Sequence, residues 1–114
     1  NGKRSNLNFM VDVSVVKLKE YADATNNYTL ANFKDIGFTS MTLVSSSDFV
    51  TDTNEHGFKS VLREGFKDMD LCGMQYIFDM GPKKLLVTFT TQYSEREANE
   101  KIFDAAVKTL KIDH

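Results

Sequence analysis

The sequence predicts an α+β domain, an antiparallel β-sheet flanked by helices in the order β-α-β-β-β-β-α. Three observations predict it. Met74, Tyr76, Phe78 and Met80 alternate with Gln75, Ile77 and Asp79, the period-two pattern of a strand with one drier face. Gly81-Pro82-Lys83-Lys84 then reads as a turn, because Pro presets φ and removes a ladder donor. Leu85 to Tyr93 is a return strand rich in Val, Phe and Thr, and it runs directly into an amphipathic helix.

That helix carries its own start signal. Ser94 sits where an N-cap belongs, and Glu97 completes a capping box Ser94-Glu95-Arg96-Glu97. Tyr93 and Ala98 are spaced for a hydrophobic staple. Loss of the Ser94 hydroxyl is then expected to cost about 1 kcal/mol. Ala98, Ile102, Phe103, Ala105, Ala106, Val107 and Leu110 form a broad apolar arc at 100° per residue, with Asn99 as an exception inside it. Glu100, Lys101, Asp104 and Lys108 fill the opposite arc, with favourable i,i+4 pairs Glu97–Lys101 and Asp104–Lys108.

Earlier elements extend the same architecture. Phe9, Val11, Val13 and Val15 alternate with Met10, Asp12 and Ser14, so they predict the opening strand. Lys19 to Asn27 reads as a polar connection. Thr29 is placed to cap a short helix carrying Leu30, Phe33 and Ile36, stopped by Gly37. Phe38 to Ser46 predicts a strand, Ser45 to His56 a polar loop, and Phe58 to Phe66 a strand of mixed polarity near an edge. Lys67-Asp68-Met69-Asp70 turns into the hairpin. The chain opens without Met, as after removal of a leader or trimming of a longer chain; the first eight residues read as a polar spacer after such removal, and 9–114 as a single domain.

Composition bounds the function. A chain of 114 residues is one domain and can bury about two-thirds of its unfolded surface. Nine Phe and four Tyr supply a core. A net charge of −2 gives no general bias toward nucleic acid. No apolar run approaches the roughly 20 residues needed for a transmembrane helix. Cys72 is the single cysteine, which rules out an internal disulfide and reads as a buried small hydrophobe.

Several constellations mimic chemistry. Asp52, Asn54, His56 and Gly57 fall at positions one, three, five and six of a calcium loop. Position five is a nitrogen donor, however, and position twelve is Arg63 rather than Glu, so a solvated turn is the better reading. Ser45, Ser46, Ser47, Asp48 and His56 lie close in sequence, but no Gly-x-Ser-x-Gly elbow surrounds the serines, and triads assemble in space. Two His and one Cys without ligand spacing build no zinc site. Asn27-Tyr28-Thr29 fits a glycosylation sequon, which matters only in a eukaryotic secretory setting. Phe49, Phe58, Phe66 and Tyr76 are candidates for lining a ligand groove, against the plainer reading of ordinary packing. The sequence therefore predicts no catalytic residue, no metal and no cofactor.

With the elements in order, the chain resembles the PsbP-like group, which includes the Mog-type Ran-binding factors, the DcrB-like envelope proteins and the LpqN-type lipoproteins. The resemblance runs from about Val11 to Ile112. It rests on the opening strand VDVSVVKL, the segment TLANFKDIGF and the closing KKLLVTFTTQYSEREANEKIFDAAVKTLKI. Members of the group usually open with a further strand bearing an aromatic-Pro-Gly-Trp segment. This chain has no Trp, and Pro82 is its single proline. The resemblance implies an antiparallel sheet with packed helices and a non-enzymatic role, with no catalytic residues to carry over.

Function is accordingly expected to be that of a binding or accessory module of the bacterial cell envelope, extracytoplasmic, periplasmic or anchored as a lipoprotein, with a protein or lipid-like partner. An intracellular interaction domain of the Ran-binding type is the first alternative, and a small hydrolase using His56 the second. A sheet edge left open by a missing first hairpin would allow a homodimer as well as a monomer.

Overall fold

The structure, a computed structural model, describes residues 6–112. Residues 1–5 of the expected spacer and His114 lie outside the described residues. Five strands form one antiparallel sheet: β1 (Asn6–Val13), β2 (Ser40–Val50), β3 (His56–Phe66), β4 (Met69–Met80) and β5 (Lys83–Gln92). Their spatial order is β1-β5-β4-β3-β2. Two helices, α1 (Leu18–Asn32) and α2 (Arg96–Lys108), complete the expected order of elements. β1 starts at Asn6, so the last three residues read as spacer belong to the strand.

The two helices lie on opposite faces, as the alternation in β4 shows. Tyr76 and Phe78 point into a core that includes Phe103 and Val107 of α2, whereas Ile77 between them packs with Leu86 and Ala22 of α1. β4 is therefore dry on both faces and central in the sheet. The two-residue loop Gly81-Pro82 sets Met80 opposite Lys83 and fixes this register.

Several elements depart from expectation. Lys19 to Asn27 is not a connection but most of α1. The centre of its inner face uses small or polar side chains, with Leu18 and Tyr21 only at the margin. Ala22 is buried, Asn26 donates to the Ser60 hydroxyl at 2.9 Å, and the Thr25 and Thr29 hydroxyls bond back to the carbonyls four residues earlier. Gly37 takes φ +100° beyond the helix, which a side chain would resist, and the Phe38 amide closes onto the Phe33 carbonyl. β2 does not stop at Ser46 but runs to Val50, with a bulge between Leu43 and Ser45. Its serines are strand residues on an exposed edge. β3 is the penultimate strand, next to edge strand β2 as its mixed polarity suggests; its polar residues Lys59 and Ser60 are nevertheless buried and paired.

The start of α2 also differs. Tyr93–Glu95 forms a 3-10 turn, and Glu95 rather than Ser94 stands at the N-cap of α2, with no side-chain capping bond, so the Ser94 capping box does not form. Tyr93 instead lies between two guanidinium groups, with Arg63 and Arg96 at 4.1 and 4.0 Å from its ring centre. The buried stripe of α2 is narrower than its apolar arc. Phe103 and Val107 are buried, and Ile102 faces solvent. Asn99 belongs to the inner stripe because its amide donates to the Thr91 hydroxyl at 2.6 Å.

Lys83 and Lys84, read as part of the turn, belong to β5, and Lys84 is no surface charge. It is almost fully buried, with its ammonium 2.9 Å from the Ser14 carbonyl and 2.8 Å from Asp79. Cys72 is fully buried, and burial pushes its thiol up to about 11.

Candidate functional site

The four aromatics singled out in the sequence occupy three places. Phe49 and Tyr76 meet edge to face, 5.0 Å between centres, inside the α2-side core. Phe58 packs with α1 on the opposite face. Phe66 sits at the end of β3 against Phe38, 5.7 Å away. The reason is strand parity: Phe49 and Phe58 are in neighbouring strands but pair with Gly57 and Asp48, which sends their rings to opposite faces.

The β2–β3 register also separates the other residues considered for chemistry. His56 stands opposite Val50, three positions along β2 from Ser47, or about 10 Å at strand rise. The Asp52 amide is bound to the Lys108 carbonyl, so the Thr51–Glu55 loop closes against the end of α2.

A polar cluster that sequence reasoning missed lies under α2. Lys59 is buried, hydrogen-bonded to Glu100 and 2.9 Å from Asp104, and the Tyr76 hydroxyl donates to Asp104. Burial alone would lower the Lys59 pKa, but the two carboxylates outweigh it and hold it above the usual value. Burial, reinforced by Asp104, drives the Tyr76 phenol far up. A lysine kept protonated and a phenol kept neutral serve as donors, not as nucleophile or base. The cluster fastens α2 to β3 and β4. Its sequence signal is the i,i+4 spacing of Glu100 and Asp104 on the polar arc of α2.

The open surfaces converge instead on β1. Every described residue of this strand is exposed. Leu7, Phe9, Val11 and Val13 lie on the α2 face at 51% exposure or more, and Met10 lies on the α1 face at 51%. Val15 and Val16 continue the strip into the connection to α1. Between β1 and α2 runs a groove of about 230 Å³ lined by Leu7, Phe9, Val87, Phe89, Ala106, Val107 and Leu110. β5 supplies its floor, β1 and α2 its walls, and every lining residue is apolar. On the opposite face a second groove of about 280 Å³ separates β1 from α1, lined by Asp12, Tyr21 and Tyr28 among others. There the Tyr21 hydroxyl donates to Asp12 at 2.6 Å, and burial together with that carboxylate pushes the phenol up to about 12. Both helices thus leave β1 uncovered.

Comparison with family models and with curated proteins returns no match. Among solved structures, the fold is similar to that of the protein of unknown function PA94 from Pseudomonas aeruginosa. The TM-score is 0.74 at 15% identity, covering all of this chain and 86% of that one. At that identity the likeness is one of architecture. No helix among the described residues is long and apolar enough to cross a membrane.

Proposed function

We propose that this chain is a non-catalytic binding module that accepts an apolar segment of a protein or lipid-like partner in the groove between β1 and α2. One observation carries the reading: a concave surface walled wholly by apolar side chains, beside a strand with half-exposed Leu, Phe and Val along its length. The polar cluster at Lys59 supports it from the other side, because its donors and acceptors are spent on each other in holding α2, the groove's wall. An envelope setting is supported by the PsbP-like resemblance of the closing strand and helix.

Binding of an anilinonaphthalene sulfonate dye tests the reading. Saturable uptake by the native chain is expected, lost when Ala106→Phe fills the groove from an exposed position on α2. Absence of dye binding, or binding indifferent to Ala106→Phe, overturns it.

A further inference from the structure

Among the described residues, β1 carries few of the devices that protect ordinary edge strands. The outer edge at β2 is interrupted by a bulge and dominated by Ser and Thr. β1 has no bulge, no Pro, no Lys, and one charge, Asp12, which is engaged by Tyr21. Leu7, Phe9, Val11 and Val13 form an unbroken half-exposed row on one face, with Met10 half-exposed on the other, rather than the singly scattered exposure normal for monomers.

Its backbone polarity can be assigned residue by residue. The Ser14 amide donates to the Pro82 carbonyl, one step beyond the Val13–Lys83 pair. Antiparallel alternation then turns Asp12, Met10 and Asn8 toward β5, and leaves the amides and carbonyls of Leu7, Phe9, Val11 and Val13 pointing outward. The outward groups belong to the residues whose side chains lie on the α2 face.

We infer that β1 pairs with β1 of a second copy of this chain, antiparallel about a two-fold axis through Met10. This register sets Phe9 opposite Val11 and Leu7 opposite Val13, so the outward donors and acceptors of all four residues are paired in both copies. It sets Asp12 opposite Asn8 rather than opposite its own symmetry mate, as a register shifted to Asp12 would do, and so avoids facing like charges. Because paired residues share a face, both α2 helices fall on one side of a continuous ten-stranded sheet (two copies of five). The inference concerns the edge of β1, not the groove, and stands separately from the binding role proposed above.

Light scattering across a concentration series, coupled to size exclusion, tests it on the 114-residue chain. A concentration-dependent dimer is expected. Val11→Pro removes an outward amide without touching the β5 ladder, so it should abolish the dimer while the circular-dichroism melt is retained; Val11→Lys is the second variant should Pro perturb folding. Met10→Cys provides the register test. Opposed residues of a non-hydrogen-bonded pair lie about 4.5 Å apart at Cα, within disulfide reach, and native Cys72 is buried. Mild oxidation should therefore cross-link Met10→Cys and leave Asp12→Cys uncross-linked. A chain monomeric at every concentration overturns the inference and leaves the edge to a strand from another protein. So does a dimer that survives both Val11 variants, or one in which Asp12→Cys cross-links and Met10→Cys does not.

Discussion

The two faces of the sheet hold their helices by different means. On the α2 side the contact is aromatic and deep. Phe89 stacks on Phe103 with 4.1 Å between ring centres, Phe49 meets Tyr76 and Phe78 edge to face, and the Lys59 cluster ties the helix down beside them. On the α1 side the contact is thin: Ala22, Ile77 and Leu86 form the buried set, with Leu18, Tyr21 and Phe58 at its margin and the Asn26–Ser60 hydrogen bond across it. Large rings gain stability from area. A small-residue face gains it from close approach, and is sensitive to what else shares the space.

Glu64 shows what that sensitivity means. Its carboxylate lies over Gly73, where an added Cβ would collide with it. Burial pushes its pKa up to about 7. A carboxyl whose folded pKa is raised contributes most when protonated, so its share of stability is full below about pH 4.5 and declines as pH rises toward 7.

The contrast can be broken at its strongest point. Phe103→Ala should cost about 3–5 kcal/mol in urea unfolding, and Leu18→Ala on the other helix about half as much or less. Equal losses would mean that the two faces are energetically alike. Next in size, Glu64→Gln should stabilise the chain at pH 8 by about 2 kcal/mol, allowing for partial solvation, and leave it unchanged near pH 4. Midpoints of chemical denaturation at the two pH values measure this, and a uniform shift would move the cause away from ionisation. Tyr76→Phe removes the hydroxyl bond to Asp104 and keeps the ring packing, so a loss of about 1–2 kcal/mol is expected by thermal melting. The smallest effect belongs to Ser94→Ala, under about 0.5 kcal/mol, because no side-chain cap forms there. A loss near 1 kcal/mol would restore the capping box.

Legibility in the sequence followed the same division. β4, β5 and α2 were readable because large apolar residues recur at the right period and a Gly-Pro turn separates the strands. α1 was hidden because Asn26, Thr25 and Thr29 occupy its inner face, where a hydrophobic pattern is normally sought. The end of β2 was hidden because Ser45, Ser46 and Ser47 lie on an exposed edge that polarity alone cannot distinguish from a loop. The groove was not legible at all, since Leu7 and Leu110 approach it from the two ends of the chain. The exposed strand beside it left one trace: Met10 is apolar on a parity otherwise held by Asn8 and Asp12, which a half-buried strand does not need.

Lys84 carries a practical consequence. Its amine sits at the corner where the chain leaves β1 for α1, anchored on the Ser14 carbonyl and Asp79 beneath the Tyr21 ring. Acylating reagents in solution will reach its neighbour Lys83 freely and reach Lys84 only when that corner comes apart. The modification ratio of these adjacent lysines, followed by peptide mass spectrometry, is thus a built-in clock for how often the first strand lets go.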